Sequence, residues 1–371
     1  MTGTFLIRTD ADNSTGYGHL MRCLSLAAEL RKRDRQVIFV MNRADRSARE
    51  LIRQHDHGIC ITSAGDDLMA EARELSQDPD RARAIVLDFS HQHNLARAER
   101  VPEYVEALRG AFPVIAMLDG LGKDSVAGRV ARLDVDLLVA PYVGADREAV
   151  APAGVTTRFA GPQYLAFSPA FQPFAGEKRR VRRVADRVLI TFGGTDPCRI
   201  TLKALSAIEA IRHRKLDVRV IIGPGFEKAL ADEIGVAATA SVHAPEVIAA
   251  PTSLARHMAW CDLAITGSGL TKYELALTGT PSIQISIDDV HARVNQEFAR
   301  AGSALHLGVN REVTVSHLAE EIRIVLDNAE QRREMSHRGQ ALTDGRGAER
   351  IVSKLLELEG AFSSDPHRSA G

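Results

Sequence analysis

The segment TDADNSTGYGHLMRC (9–23) sets two glycines, Gly16 and Gly18, directly before a histidine, His19. Glycines let a backbone turn tightly and approach a ligand, and the N–H groups that open a helix attract an anion. A histidine at that end of a helix has its charged form disfavoured by the dipole, which suits a general base. A capping or core histidine fits the same position. FGGTDP (192–197) supplies a second pair, Gly193 and Gly194. It also reads as a plain turn, capped by Thr195 or Asp196, with Pro197 at the first helical position. DLAITGSGLTKYELALTGTPSI (262–283) carries the most chemistry. Backbone and hydroxyl donors of Ser268, Gly269, Leu270 and Thr271 suit a diphosphate, and the Glu274 carboxylate suits two vicinal ribose hydroxyls. Thr271 and Glu274 also have capping-box spacing, and spacing alone does not choose.

Other patterns point away from common alternatives. GYGHLM has Met21 where a dinucleotide fingerprint needs its third glycine, and no GxxxxGK[ST] loop occurs. His91 and His93 lack a third ligand for zinc. Asp88, in AIVLD, and Asp119, in LDG, stand at strand ends. Each either orients a sugar hydroxyl, assists a base or caps a loop.

These loops need strands to carry them. Short apolar runs at 4–8, 36–41, 58–62, 84–88, 113–118 and 135–139 read as buried strands, and the second half repeats them at 187–192, 217–222, 240–244, 262–266, 281–286 and 303–307. Helical patterns lie between, as at 19–32, where Leu20, Leu24, Ala27 and Leu30 share a face and Arg22 lies off it. Further helices are expected near 198–212, 252–260, 271–278, 291–301 and 314–328. Strands alternating with helices predict two doubly wound parallel α/β domains, 1–175 and 188–360, facing a central cleft. The basic stretch GEKRRVRRVADR (176–187) reads as a solvated linker, and 361–371 as a disordered tail. The length of 371 residues agrees with two domains, and 45% hydrophobic with 26% charged residues excludes a disordered or collagenous chain. A formal net charge of −1 gives no general attraction to nucleic acid or anionic membrane. Four scattered cysteines, no evident signal peptide and no apolar run long enough for a membrane span point to a cytoplasmic protein.

Together IRTD (7–10), TGYGHLMRC (15–23), LAAEL (26–30), ITFGGTDP (190–197) and GSGLTKYELALTGTPSI (267–283) resemble the GT-B superfamily of nucleotide-sugar enzymes. The likeness is greatest to the UDP-sugar hydrolase of pseudaminic acid biosynthesis and to the spore-coat-polysaccharide proteins. It covers about the first 310 residues. The resemblance implies a UDP-sugar held mainly by the second domain, with neither metal nor organic cofactor. It makes His19 the water-activating histidine, Gly193, Gly194 and Ser268 to Thr271 the diphosphate loops, and Glu274 the ribose acid. Counting back from Gly302 puts Val290 and His291 where the hydrolases carry an Asn-Gln pair. Asn295 and Gln296 form such a pair later, inside the expected helix. Either Asp289 or His291 substitutes in catalysis, or the chemistry differs. The expected activity is hydrolysis at the anomeric carbon for nonulosonic acid or surface-polysaccharide synthesis. Alternatives are a glycosyltransferase with the same donor and a nucleotide-sugar-binding protein without turnover. The oligomeric state stays open.

Overall fold

The computed structural model describes residues 3–12, 15, 17–77, 82–89, 95–120, 125–147 and 151–364. Gly16, His91, His93 and residues 365–371 lie outside them. The chain forms two compact units, residues 1–169 with 346–371, and residues 170–345.

The first unit holds seven strands: β1 (Thr4–Arg8), β2 (Gln36–Met41), β3 (Gly58–Ile61), β4 (Ala84–Asp88), β5 (Val114–Leu118), β6 (Leu137–Ala140) and β7 (Thr157–Ala160). All pairings are parallel, in the order β3-β2-β1-β4-β5-β6-β7. Parallel strands covered on both faces read as continuous apolar runs, and β4 and β5 are buried throughout. Helices α1 (Gly18–Arg31), α2 (Arg46–Gln54), α3 (Leu68–Leu75) and α4 (Val101–Arg109) lie between the strands.

The second unit repeats the plan with β8 (Arg187–Thr191), β9 (Asp217–Ile222), β10 (Glu246–Ala249), β11 (Leu263–Thr266), β12 (Ser282–Ser286) and β13 (Ala304–Val309). They pair in parallel as β10-β9-β8-β11-β12-β13. Its helices are α5 (Ile200–Glu209), α6 (Lys228–Ala240), α7 (Ala255–Trp260), α8 (Thr271–Leu277), α9 (Asp289–Ala301), α10 (Val315–Asp327) and α11 (Ala329–Leu342). In both sheets the order reverses beside the unit's first strand, between β1 and β4 and between β8 and β11. Among the described residues no helix is long and apolar enough to cross a membrane.

The structure differs from the sequence reading in four places. Residues 240–244 are no strand. α6 ends at Ala240, and buried His243 accepts the N–H of Leu216 at 3.0 Å through Nδ1. The edge strand is instead EVIA (246–249), which has no fully buried residue and so too weak a pattern to find. The partly buried β7 was missed for the same reason. The last helix, α12 (Gly347–Ser364), joins the first unit, not the second, because Ile351, Val352 and Leu355 complete the core around Leu30 and Phe39.

Residues 176–187 are no free linker either. Arg179 donates to the carbonyls of Met258 and Thr278 at 3.2 and 3.3 Å, and Arg182 pairs with Asp262 at 2.9 Å. These bonds pin the segment to the second unit.

The loops after β8 and β9 touch backbone to backbone. The N–H of Gly225 donates to the Gly194 carbonyl at 2.9 Å. A Cβ on Gly223 would lie 2.2 Å from the Gly193 oxygen and 2.6 Å from that of Gly194. Gly223→Ala should therefore cost about 1–3 kcal/mol, as overpacking does. A denaturant midpoint equal to the wild type would show that this contact does not hold the glycine loop.

Candidate nucleotide-sugar site

Ligands of open parallel sheets bind outside the carboxyl ends of the strands where the order reverses. In the first unit that edge carries, among the described residues, 9–12, 15 and 17 after β1, and Asp88 as the last residue of β4. In the second it carries 192–197 after β8 and 267–270 after β11. The expected residues that are described, His19, Asp88, Gly193, Gly194, Ser268 to Thr271 and Glu274 among them, stand at or directly after these edges.

In the first unit Gly18 opens α1, with Tyr17 at the cap making no side-chain cap bond. The hydroxyl of Tyr17 donates to Asp45 at 2.6 Å instead, and Asp12 and Thr15 close a small turn through a 2.7 Å bond. His19 therefore sits in the first turn, its side chain 20% exposed, with Nδ1 2.9 Å from Oδ1 of Asp88. Asp88 is fully buried and also accepts from Nε of Arg22 at 2.7 Å. A second guanidinium nitrogen of Arg22 donates to Asp88, and a third to the hydroxyl of Tyr142 after β6. Burial alone would raise the Asp88 carboxyl, but the charges of Arg22 and His19 and their hydrogen bonds hold it well below the carboxylate range. An ionised Asp88 draws the proton of His19 to Nδ1 and leaves Nε2 as the acceptor that a base needs. Asp88 thus serves the histidine. Asp119 is the loop cap, taking the N–H groups of Gly120, Val126 and Ala127 at 2.7–2.9 Å.

Arg22 and Tyr142 were not found in the sequence. Arg22 lies off the Leu20–Leu24–Ala27–Leu30 face, yet it is buried, because the sheet edge bearing Asp88 covers that side of α1. The IRTD run is structural. Arg8 binds Glu71 at 2.7 and 3.0 Å, and Asp10 accepts the N–H groups of Asn42 and Arg43 at 2.9 and 2.8 Å.

In the second unit Gly193 has φ +81°, a conformation that favours glycine. A Cβ added to Gly193, Gly194 or Gly269 would meet nothing within 4 Å, so these loop surfaces are open. The two loops adjoin, since a Cβ on Gly267 would lie 3.5 Å from the Phe192 ring. Asp196 accepts the N–H groups of Ile200 and Thr201 at 2.9 and 2.8 Å and so satisfies the helix start from three residues before the N-cap Arg199; the helix starts at Ile200, later than Pro197.

The capping box is not formed. Leu270 is the cap of α8 and makes no side-chain cap bond. Among the described residues the N–H groups of Ser268, Gly269, Leu270, Thr271 and Lys272 find no acceptor, and the Glu274 carboxylate finds no donor. Burial without a partner pushes the Glu274 carboxyl up to about 7. Lys272 is buried beside it in sequence, and its ammonium is brought down to about 7, again by burial.

His291 lies in the first turn of α9, on the same edge. Its ring and its N–H both reach Asp288, at 2.7 and 2.8 Å. Asp289 turns to Arg311 at 2.8 Å. Asn295, set aside as a helix residue, is fully buried, and its Nδ2 lies 2.8 Å from the Ser268 hydroxyl. The signal for it is its place three residues before buried Phe298, on the core face of α9. Among the described residues no cluster of three or more His, Cys, Asp or Glu side chains could hold a metal ion.

Asp88→Asn should destabilise the fold by about 3–5 kcal/mol, because it leaves the buried Arg22 cation unpaired. Chemical denaturation measures this, and a loss under 1 kcal/mol would remove the carboxylate from its organising role.

Residues 188–351 match the glycosyltransferase family 28 C-terminal domain. The chain is 25% identical over 224 residues to the spore coat polysaccharide biosynthesis protein SpsG of Bacillus subtilis, a match covering 60% of this chain and 65% of that protein. It is 23% identical over 313 residues to an uncharacterised protein of Methanocaldococcus jannaschii, covering 82% of this chain and 60% of the relative. The matches thus span less than two thirds of either relative. The structure of Acinetobacter baumannii MurG superposes with a TM-score of 0.68 at 12% identity, over 96% of this chain and all of that one. The two parallel sheets and the superposition on MurG agree on a GT-B fold, and the chain is similar to the glycosyltransferase family 28 C-terminal domain over residues 188–351 and to the spore coat polysaccharide protein SpsG.

Proposed function

We propose that this protein breaks the bond between the anomeric carbon of a UDP-activated amino or deoxy sugar and its diphosphate, with water as acceptor. The observation that carries the reading is the row of N–H groups at 268–272, unengaged among the described residues, beside the Glu274 carboxylate that finds no donor among them. The row suits a diphosphate, and the carboxylate suits the two ribose hydroxyls.

In this reading a water oxygen bonds to the anomeric carbon as the carbon–oxygen bond to the diphosphate breaks. Nε2 of His19 takes the water proton, and Asp88 stabilises the imidazolium that forms. Negative charge grows on the departing diphosphate, where preorganised N–H groups stabilise it. His291 keeps a supporting place, its ring turned to Asp288. Transfer to a sugar hydroxyl instead of water is the second reading, favoured by the family 28 match. The His19–Asp88 pair favours turnover over binding alone.

Free UDP followed on incubation with UDP-sugars decides among these. Release without acceptor supports hydrolysis, release only with an added sugar acceptor supports transfer, and binding without release leaves a binding protein. His19→Ala should slow release by about 10²–10⁴-fold with UDP affinity nearly unchanged; full activity removes His19 from the mechanism. Glu274 tests the nucleotide end. With its carboxyl raised to about 7 it is protonated below neutrality and ionised above, and only the ionised form accepts both ribose hydroxyls. Uridine affinity should rise from pH 6 to pH 8 in the wild type and stay flat in Glu274→Gln. Equal pH profiles would separate Glu274 from the ribose.

A further inference from the structure

We propose that Lys272 and Asn295 are positioning residues that hold the Ser268 hydroxyl as a hydrogen-bond donor to the diphosphate. The inference rests on the proposed nucleotide site and names what supports that site from behind.

Lys272 is 2% exposed, and no carboxylate among the described residues pairs with it. Its Nζ donates to Oδ1 of Asn295 at 3.0 Å and lies 5.1 Å from the Phe298 ring centre. A buried ammonium facing one neutral amide and an aromatic ring is costly for the fold, so packing alone does not account for it. Its effect on Asn295 is directional. The ammonium form has donors and no acceptor, so opposite it the amide turns its oxygen to Lys272 and its nitrogen the other way. On that side Nδ2 meets two hydroxyls, Ser268 Oγ at 2.8 Å and Ser286 Oγ at 2.9 Å. Both amide protons are then spent.

The proton count leaves one donor over. Ser286 Oγ lies 3.0 Å from Nε2 of His306, whose ring also hydrogen-bonds the Gly308 backbone. Burial keeps His306 toward its neutral form, so Nε2 accepts and Ser286 gives its proton there. Ser268 Oγ receives from Asn295 and must point its own proton elsewhere. The acceptor the fold offers it is Ser286 Oγ at 3.4 Å, well beyond the usual 2.7–2.8 Å for two hydroxyls. A phosphate oxygen over the free N–H groups of 268–272 is the better acceptor. The chain Lys272–Asn295–Ser268 thus fixes a hydroxyl with its proton outward and a cation behind it.

Asn295→Asp gives a variant whose effects on folding and binding have opposite signs. The new carboxylate pairs with the Lys272 ammonium, so the melting temperature should hold or rise. It has no N–H for Ser268, so the hydroxyl loses its orientation. Calorimetric titration of the full chain with UDP and with uridine reads the result. UDP affinity should fall about 10–100-fold, the value of a hydrogen bond to a charged group, with uridine affinity within 2-fold of wild type. Ser268→Ala should match that loss, and the double variant should lose no more than the worse single one. The positioning role is overturned if Asn295→Asp leaves UDP affinity intact, if uridine weakens alongside UDP, or if the two losses multiply. Lys272→Met repeats the test from the other end, with UDP weakened and uridine unchanged. Wild-type protein that binds uridine but not UDP, or neither, overturns the nucleotide site itself; wild type that binds UDP without coupling overturns only the relay.

Discussion

Asp88 is a carboxylate with no exposure to water, and the sheet edge of the first unit depends on its staying ionised. Two cationic or potentially cationic side chains from a single helix turn, His19 and Arg22, meet it at the end of β4. The guanidinium supplies the charge that makes burial tolerable, and the imidazole gains a defined tautomer. The same contact ties α1 to the sheet edge. Cys23 adds its Sγ at 3.5 Å, and burial first of all, then Asp88, raises its thiol, so it is a packing residue and not a nucleophile.

The second unit solves an opposite problem. Its edge does not bury a satisfied ion pair; it keeps groups unsatisfied. Among the described residues, N–H groups at 268–272 without acceptors, an unpartnered Glu274 carboxylate and an ammonium held by a neutral amide all lie at the start of α8. Such groups destabilise a fold unless a ligand completes them. Tight packing nearby makes this tolerable: Tyr273 meets Phe298 edge-on at 4.7 Å, and β11 and β12 are buried along their length. The glycine loop after β8 is braced in the same spirit by the backbone of 223–225.

The strands that border the sites were legible because parallel strands buried on both faces must be almost wholly apolar. TFLIR, AIVLD, RVLIT and the core of PSIQIS stand out for that reason. Edge strands carry half that signal, and there the reading failed, at 157–160 and 246–249. The basic run 176–187 looked solvated because its partners, Met258, Asp262, Thr278 and Thr280, are remote in sequence.

From the sequence alone came the alternation of strand and helix, hence two parallel sheets, and the segments directly after β1, β8 and β11, hence His19 and the three loops. Local chemistry decides these: periodicity follows from burial, and a glycine or a strand end is marked within a few residues. The tertiary structure decided which polar groups find partners. Asp119 became a loop cap, and Asp88 met His19 and Arg22. Arg22, read as lying off the buried face of its helix, became the counter-charge of the site, and Asn295 turned back from a helix to a serine 27 residues earlier. Hydrogen bonds between distant segments depend on where the sheet brings them, and no spacing along the chain encodes that position.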